Sequence, residues 1–476
     1  MREVEIQPVP LERLAQLLSP QRVERLAARA DVARELFAHR TLWNINATSK
    51  GGGVAEMLQA LLAYSRGAGV DARWLVLDGD HEFFTITKRL HNFLHGSPGD
   101  GGMLGRTEHA HFSRVLSYNL PMAEQVVEPG HIVLLHDPQT AGLVDGLRRG
   151  GAHVVWRCHI GRDTPDPLAD IGWAFLRGFI ERADRFIFSR REYVPAWVPA
   201  DRVVIIPPSV DPFSAKNIEL DPARVRASLA RAGLVENGPG EGDLHFVRRG
   251  GSVGEVRAHQ GLIHGHGPIP RAARLVVQVS RWDRLKDMTG VLRGFIDRID
   301  ALPDDAHLAL VGPDTAGVSD DPEGAAVLAE CIALWNELPR SVQDRVHLVC
   351  LPMDDVDENA HLVNAIQRHA SVVVQKSLVE GFGLTVTEAM WKSRPVIASA
   401  VGGIQDQIED GVQGLLIEDP HDLDSFGAAL ERVLGDDALA TKLGEAARER
   451  VQDQFLGDRH LIQYVELFES LISGHS

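Results

Sequence analysis

The sequence predicts an α/β protein made of two doubly wound domains that face each other. Three observations predict it. The chain has 476 residues, too many for one ordinary hydrophobic core. Short apolar runs alternate with helix-length segments, and the alternation starts afresh near residue 274. The runs are almost continuous in Val, Ile and Leu, the pattern of strands buried on both faces of a parallel sheet.

Taken in order, a helical lead-in precedes the strand TLWNIN (41–46), the loop ATSKGGG and an apolar-periodic helix from Val54 to about Arg66. ARWLVLD (72–78), HIVLLHD (131–137), AHVVWRCH (152–159), RFIFS (185–189) and RVVIIPP (202–208) are the further strands of the first series. The proline-rich, polar segment 207–222 reads as a linker. Residues 235–272 hold many glycines and little periodicity, so they read as an exposed, partly mobile insertion. The second series is RLVVQVS (274–280), HLALVGP (307–313), VHLVCLP (346–352), SVVVQ (371–375), PVIAS (395–399) and GLLIE (414–418). At the end, Leu461, Ile462, Val465, Leu467, Phe468 and Leu471 recur at helical spacing, so this last helix must dock on something. The expected domains are 1–210, joined by the helix 455–476, and 211–454 with the insertion at about 235–272. Two βα series of this kind imply two doubly wound domains.

Composition narrows the function. The chain is 44% hydrophobic and 24% charged, as in globular rather than disordered proteins. Its net charge of −17 argues against nucleic-acid binding or a membrane surface. No apolar stretch approaches the ~20 residues of a membrane span, and the charged N-terminus is no signal peptide. Cys158, Cys331 and Cys350 lack metal-ligand spacing and are expected as buried, reduced thiols in a cytoplasmic protein.

Doubly wound domains suit a nicotinamide-dependent dehydrogenase, whose Gly-x-Gly-x-x-Gly fingerprint is testable here. Gly51 and Gly53 fit, but the third position is Glu56; Gly381 and Gly383 fit, but the third is Val386. Both matches fail where the helix must pack closely on the strand. No Walker A sequence occurs. The stretch VVVQKSLVEGFGLTVTEAMWK (372–392) reads differently. A strand ends near Gln375, the turn carries Gly381 and Gly383, and a helix begins near Leu384. Helix N-termini expose N–H groups and a positive dipole end, and glycine lets a diphosphate approach the backbone. Glu388, one turn inside, is placed for a ribose diol, and Glu380 for sugar hydroxyls. In VSRWDRLKDM (279–288), Arg281 and Lys286 follow a buried strand, where two cations can neutralise a diphosphate leaving group.

Together, SRWDRLKD and EGFGLTVTEA resemble the retaining, nucleotide-sugar-dependent glycosyltransferases of the GT-B fold, whose two Rossmann-like domains place the active site in the cleft between them. NINATSKGGGVAEML (44–58), LLHDPQTAGL (134–143), VWRCHIGRDTP (155–165), IPPSVDPFSAKN (206–217) and the 363–392 stretch are similar to one subgroup, the trehalose glycosyltransferring synthases. That resemblance implies transfer of glucose from a nucleoside-diphosphate glucose to free glucose, giving α,α-trehalose, by front-face attack without a covalent enzyme intermediate. Two features depart from the subgroup, the 235–272 insertion and the form HIGRDTP near the acceptor pocket. The other readings are the same class with another acceptor, as in sucrose-phosphate synthases, or a non-catalytic nucleotide-sugar-binding regulator.

The roles implied are as follows. Arg281, Lys286, Glu380 and His159 are catalytic, the last at the donor sugar's hydroxyl edge. Gly52, Gly53, Gly381, Phe382, Gly383, Leu384, Thr385 and Glu388 bind the donor. Leu351, Pro352 and Met353 line the base, with Asn364 on the next helix available for polar contact. His136, Asp137, Gln139, Trp156 and Arg157 form the acceptor side. Gly51 belongs with the glycine loop, and Lys50 beside it reads as solvated. The Asp-x-Asp elements DGD (78–80) and DVD (355–357) read as solvated turns, so no bound metal, no Mg²⁺ requirement and no tightly held cofactor are expected. A homodimer is the expected assembly.

Overall fold

The computed structural model describes every residue except 50–51, 238–241, 250, 316–321 and 475–476. The chain divides into two compact units, Met1–Ser209 with Phe455–Ser476, and Val210–Gln454.

The first unit is a sheet of β1 (Arg2–Val4), β2 (Leu42–Asn46), β3 (Ala72–Val76), β4 (Ile132–His136), β5 (His153–Cys158), β6 (Arg185–Phe188) and β7 (Val203–Ile205). Its order is β1-β3-β2-β4-β5-β6-β7. Among these strands only β1, which the periodicity did not reveal, runs antiparallel, against β3. The strands β2 and β4 are buried along their whole length, as the apolar runs predict.

In the second unit, β8 (His245–Val247) and β9 (Val253–Glu255) form a separate antiparallel hairpin. The main sheet holds β10 (Ile263–His264), β11 (Arg274–Val279), β12 (Ala306–Pro313), β13 (Val346–Leu351), β14 (Val372–Gln375), β15 (Val396–Ser399) and β16 (Leu415–Ile417). Its order is β10-β13-β12-β11-β14-β15-β16, and of these described strands β10 is the antiparallel one. The strand order of each sheet reverses at one point, between β2 and β4 in the first and between β11 and β14 in the second. Such switch points leave a crevice at the carboxyl ends of the strands, where open α/β sheets bind ligands.

The insertion differs from the sequence expectation. Among its described residues, short strands form at β8, β9 and β10, and Phe246, Val256 and Ile269 are buried, while most of the others are exposed or half-buried as expected. Short strands anchored by one or two apolar side chains leave too weak a period to read from sequence.

The Gly457–Ser473 helix packs against the Pro20–Leu36 helix of the same unit. Leu461, Ile462, Leu467, Phe468 and Leu471 are buried, with Phe468 edge-on to Phe37. Its polar side is tied by Arg22 to Asp458 at 2.7 Å, a pair whose carboxylate is almost fully buried. Among the described residues, no helix is long and apolar enough to cross a membrane.

Candidate active site

At the switch point of the second sheet, the segment after β11 turns through Arg284–Lys286 before the Met288–Asp297 helix. Asp283 caps this turn by accepting from the Leu285 N–H at 2.8 Å. Gln278, a polar residue inside a valine strand, donates to the Lys286 carbonyl at 2.7 Å and accepts from the Lys376 N–H at 3.0 Å. Leu378 N–H donates to the Leu285 carbonyl at 2.8 Å. Asp287 adopts a left-handed conformation (φ 48°) that a non-glycine residue enters only at a cost. The ammonium of Lys376, 1% exposed, donates to its carboxylate. Lys376 is therefore a buried fastener. It fixes the loop that carries Lys286.

So held, Lys286 donates from Nζ to Glu380 Oε2 at 2.6 Å. Ser377 Oγ donates to the same oxygen at 3.1 Å. Arg281 is half exposed and paired with Asp283 at 3.2 Å. The glycine turn then meets the Leu384–Trp391 helix at Gly383, its N-cap, with φ 82°. The positive φ favours glycine, and a Cβ there would lie 3.1 Å from Ile404 and 3.2 Å from Glu380, tight enough that both side chains would have to give. Gln407 braces the turn, donating to the Phe382 carbonyl at 2.5 Å, and Thr385 donates to Gln375 Oε1 at 2.9 Å. Phe382 is buried, whereas Gly381, Leu384 and Thr385 are partly exposed.

Glu388 is buried on that helix, with Lys216 Nζ 4.0 Å from its carboxylate. One turn on, Lys392 donates to the Glu388 carbonyl at 3.0 Å and to Asn217 Oδ1 at 3.1 Å. Burial pulls the Lys392 ammonium down to about 7, against the attraction of Glu388. Lys376 is visible at the end of the valine run, but the sequence assigns a role to neither it nor Lys392, because nothing local distinguishes a buried lysine from a solvated one.

The first unit's switch point is bridged by a polar chain. His136, ending β4, donates from Nε2 to Asn44 Oδ1 on β2 at 3.0 Å. That fixes the tautomer, so His136 Nδ1 accepts from His159 Nε2 at 3.2 Å. Desolvation, reinforced by the charge of Arg157, pulls His136 down to about 3 and His159 well below its ordinary value. Both are neutral imidazoles at neutral pH. Asp137 follows with φ 63° and ψ 175°, a region otherwise almost confined to glycine. Its carboxylate accepts from the His159 N–H at 2.7 Å, and burial raises it to about 7. Strain, a raised carboxyl and paired neutral histidines thus stand together at the first unit's switch point. Gln139 is partly exposed on the following turn, and Gly52 and Gly53 are exposed at the start of the Gly53–Gly67 helix. Lys50 and Gly51 lie outside the described residues.

Residues 44–195 match the family described as trehalose synthase, N-terminal domain, and residues 356–450 match glycosyl transferases group 1. The chain is 34% identical over 464 residues to a trehalose synthase of Thermococcus litoralis, covering 97% of each chain. It is 32% identical to a trehalose synthase of Rubrobacter xylanophilus, covering 93% of each. The chain belongs to the trehalose synthase family of glycosyltransferases. Its fold is similar to that of an α,α-trehalose 6-phosphate synthase from Burkholderia multivorans (TM-score 0.67, 15% identity, 92% of this chain and 100% of that one). The architecture is accordingly GT-B, with two Rossmann-like domains. Among the described residues, no three His, Cys, Asp or Glu side chains are grouped to hold a metal.

Within this glycosyltransferase, four expected residues require correction. Trp156 is wholly buried in the first unit's core, edge-on to Phe186 and Phe188, and presents nothing to an acceptor. Arg157 points from the other face of β5 into the returning helix, donating to His460 at 2.8 Å, to the Tyr464 hydroxyl and to the Ile206 carbonyl at 3.0 Å. It anchors that helix and acts on the histidines through its charge. Asn364 is fully buried and spends its amide on the Ala215 and Ile218 carbonyls, at 3.1 and 2.8 Å. The residue beside the turn expected to hold the base is Asn359, which donates to the Pro352 carbonyl at 3.0 Å. Of the three residues expected to line the base, Leu351 is 1% exposed and only Pro352 and Met353 present surface. The Asp-x-Asp elements are helix caps, with Asp80 accepting from Phe83 N–H at 2.8 Å and Asp355 from Asp357 and Glu358 N–H at 3.1 Å.

Proposed function

We propose that the protein transfers glucose, with retention of configuration, from a nucleoside-diphosphate glucose to free glucose, giving α,α-trehalose. The observation that carries the reading is the Lys286–Glu380 pair beside the Gly383-capped helix. It sets a cation, a carboxylate and a helix N-terminus at one switch point, the groups a departing diphosphate and a hydroxylated sugar call for. Arg281 and Lys286 stabilise the charge that develops on the leaving diphosphate. Glu380 holds donor sugar hydroxyls and Glu388 the ribose diol. On the first unit, His159 takes a donor hydroxyl, while His136, Asp137 and Gln139 serve the acceptor. Two neutral imidazoles suit this work, since they bind hydroxyls without adding charge beside the reacting centre.

The acidic residues next to Pro352 and Met353, Asp354 and Glu358, are already engaged by Arg257, so neither is left to fix an exocyclic amine of the base. The donor site should therefore discriminate less than tenfold between uridine and adenosine donors, below about 1.4 kcal/mol. The test is a panel of uridine, adenosine and guanosine diphosphate glucose incubated with free glucose, with and without EDTA. Trehalose in the chromatogram, unaffected by EDTA, supports the reading. Transfer to another acceptor retains the class and discards the acceptor, and loss of activity that Mg²⁺ restores overturns the metal-free mechanism.

A further inference from the structure

The insertion is the feature that the proposed reaction leaves without a role. Its described contacts converge on one place. The strand β10 adds an antiparallel edge to β13, with Ile263 opposite Val349 and His264 opposite Leu348. Cys350 N–H donates to the Leu262 carbonyl at 2.8 Å. The hairpin β8–β9 and the segment after it then reach the turn that follows β13. Arg248 donates to Asp355 Oδ2 at 2.8 Å. Arg257 donates to both oxygens of Asp354, at 2.7 and 3.1 Å, and to Glu358 Oε2 at 2.6 Å.

Glu358 is the centre of this staple. Its carboxylate is 1% exposed and also accepts from the Arg257 backbone N–H at 2.7 Å and from His259 at 3.1 Å. A buried carboxylate satisfied by a forked guanidinium, a main-chain N–H and an imidazole is geometrically determinate, unlike an exposed ion pair. Asp355 works in two directions, capping the Val356–His369 helix with one oxygen and receiving Arg248 with the other. Between these fastenings runs Pro352–Asp355. Asn359 holds the turn from the helix side, and the two insertion arginines hold it from the other.

We propose that the insertion is a positioning wall of the donor site, in which Arg248 and Arg257 set the place of the Pro352–Asp355 turn and thereby how tightly the nucleoside end of the donor is held. This rests on the reading that the turn after β13 carries the nucleobase. The phosphate end of the donor meets other elements, Lys286 and the Gly383 turn, so the wall affects the two ends of the ligand differently.

The experiment titrates uridine diphosphate and inorganic pyrophosphate into the full chain and into Arg257→Ala, Arg257→Lys, Arg248→Ala and Met353→Ala. Arg257→Ala should weaken uridine diphosphate about tenfold, as a small misplacement of a binding element does. Pyrophosphate affinity should stay unchanged, kcat at saturating donor should stay within about twofold, and Arg257→Lys should recover part of the loss. Uridine diphosphate binding unaltered in Arg257→Ala but weakened in Met353→Ala overturns the wall and keeps the base site. Binding unaltered in both removes the base site and the wall with it. Equal weakening of pyrophosphate also overturns the proposal, since the effect is then not confined to the nucleoside end. Should Arg257→Ala fail to fold, Arg248→Ala carries the same expectation. If neither folds, the staple is a folding element and the positioning role is rejected.

Discussion

Replacing Lys286 by alanine separates a catalytic cation from a structural one. The ammonium lies 2.6 Å from Glu380, with the two side chains 17% and 10% exposed. Breaking a buried pair costs up to about 3–5 kcal/mol, but this pair keeps some contact with solvent and Ser377 also donates to the carboxylate. A stability loss of about 1–2 kcal/mol is therefore expected. Removing a donor aimed at developing charge costs more, about 2.7–4 kcal/mol, or 10²–10³ in kcat. The two roles also diverge in binding. Lys286→Ala should weaken the nucleoside diphosphate, whereas Glu380→Gln, which releases the ammonium from its partner, should leave that affinity unchanged or tighten it. Initial rates of nucleoside diphosphate release, calorimetric titration and urea unfolding of both variants provide the three quantities. A kcat/KM within about threefold of the parent in a folded Lys286→Ala protein refutes the assignment, being far short of one lost charged contact. So does a change of diphosphate affinity in the same direction for both variants.

Gly52 has φ 80° and open space where a Cβ would stand, so Gly52→Val meets conformational strain of about 1–3 kcal/mol rather than a clash; turnover should be abolished with the fold intact by circular dichroism, and unchanged turnover leaves Gly52 only a turn residue. Arg157→Met should cost about 2–4 kcal/mol in urea unfolding by stranding His460, Tyr464 and the Ile206 carbonyl, with the acceptor KM little altered; a raised acceptor KM at unchanged stability restores an acceptor role. Acid should destabilise the protein through His136, held at about 3, and His347 and His361, held at about 4, all by burial. Because these folded values lie below the unfolded value of about 6.5, their contribution is complete above about pH 6.5 and is lost towards pH 4, on the order of 1.4 kcal/mol per pH unit for each group; urea midpoints equal at pH 7 and pH 5 contradict this.

Much of the site is legible in sequence because its chemistry demands particular residues at particular places. A glycine between a strand and a helix, favoured at Gly383 by a positive φ and a crowded Cβ, is visible as Gly-Phe-Gly. The carboxylates flanking it are visible by spacing. Polar residues that interrupt apolar strands, Gln278 and Gln375, are a further signal, and each braces a turn at the second unit's switch point. What stays illegible is direction. The strand β5 is buried on both faces, so no alternation of polarity tells that Trp156 faces the core and Arg157 the returning helix. Asn364 looks available because a polar residue on an apolar helix suggests an open face, whereas it is spent on two carbonyls far away in sequence. Lys376 finds its partner 89 residues earlier and the insertion arginines theirs about 100 residues later. Such pairings exist only once the chain has folded.

The most direct measurement is the nuclear magnetic resonance spectrum of the disaccharide formed from nucleoside-diphosphate [1-¹³C]glucose and unlabelled glucose. The expected product is α,α-trehalose, with the label's anomeric carbon in the α configuration of the donor and at one of the two linked positions. A β-configured labelled carbon contradicts retention. Free labelled glucose alone, with no disaccharide, contradicts transfer itself.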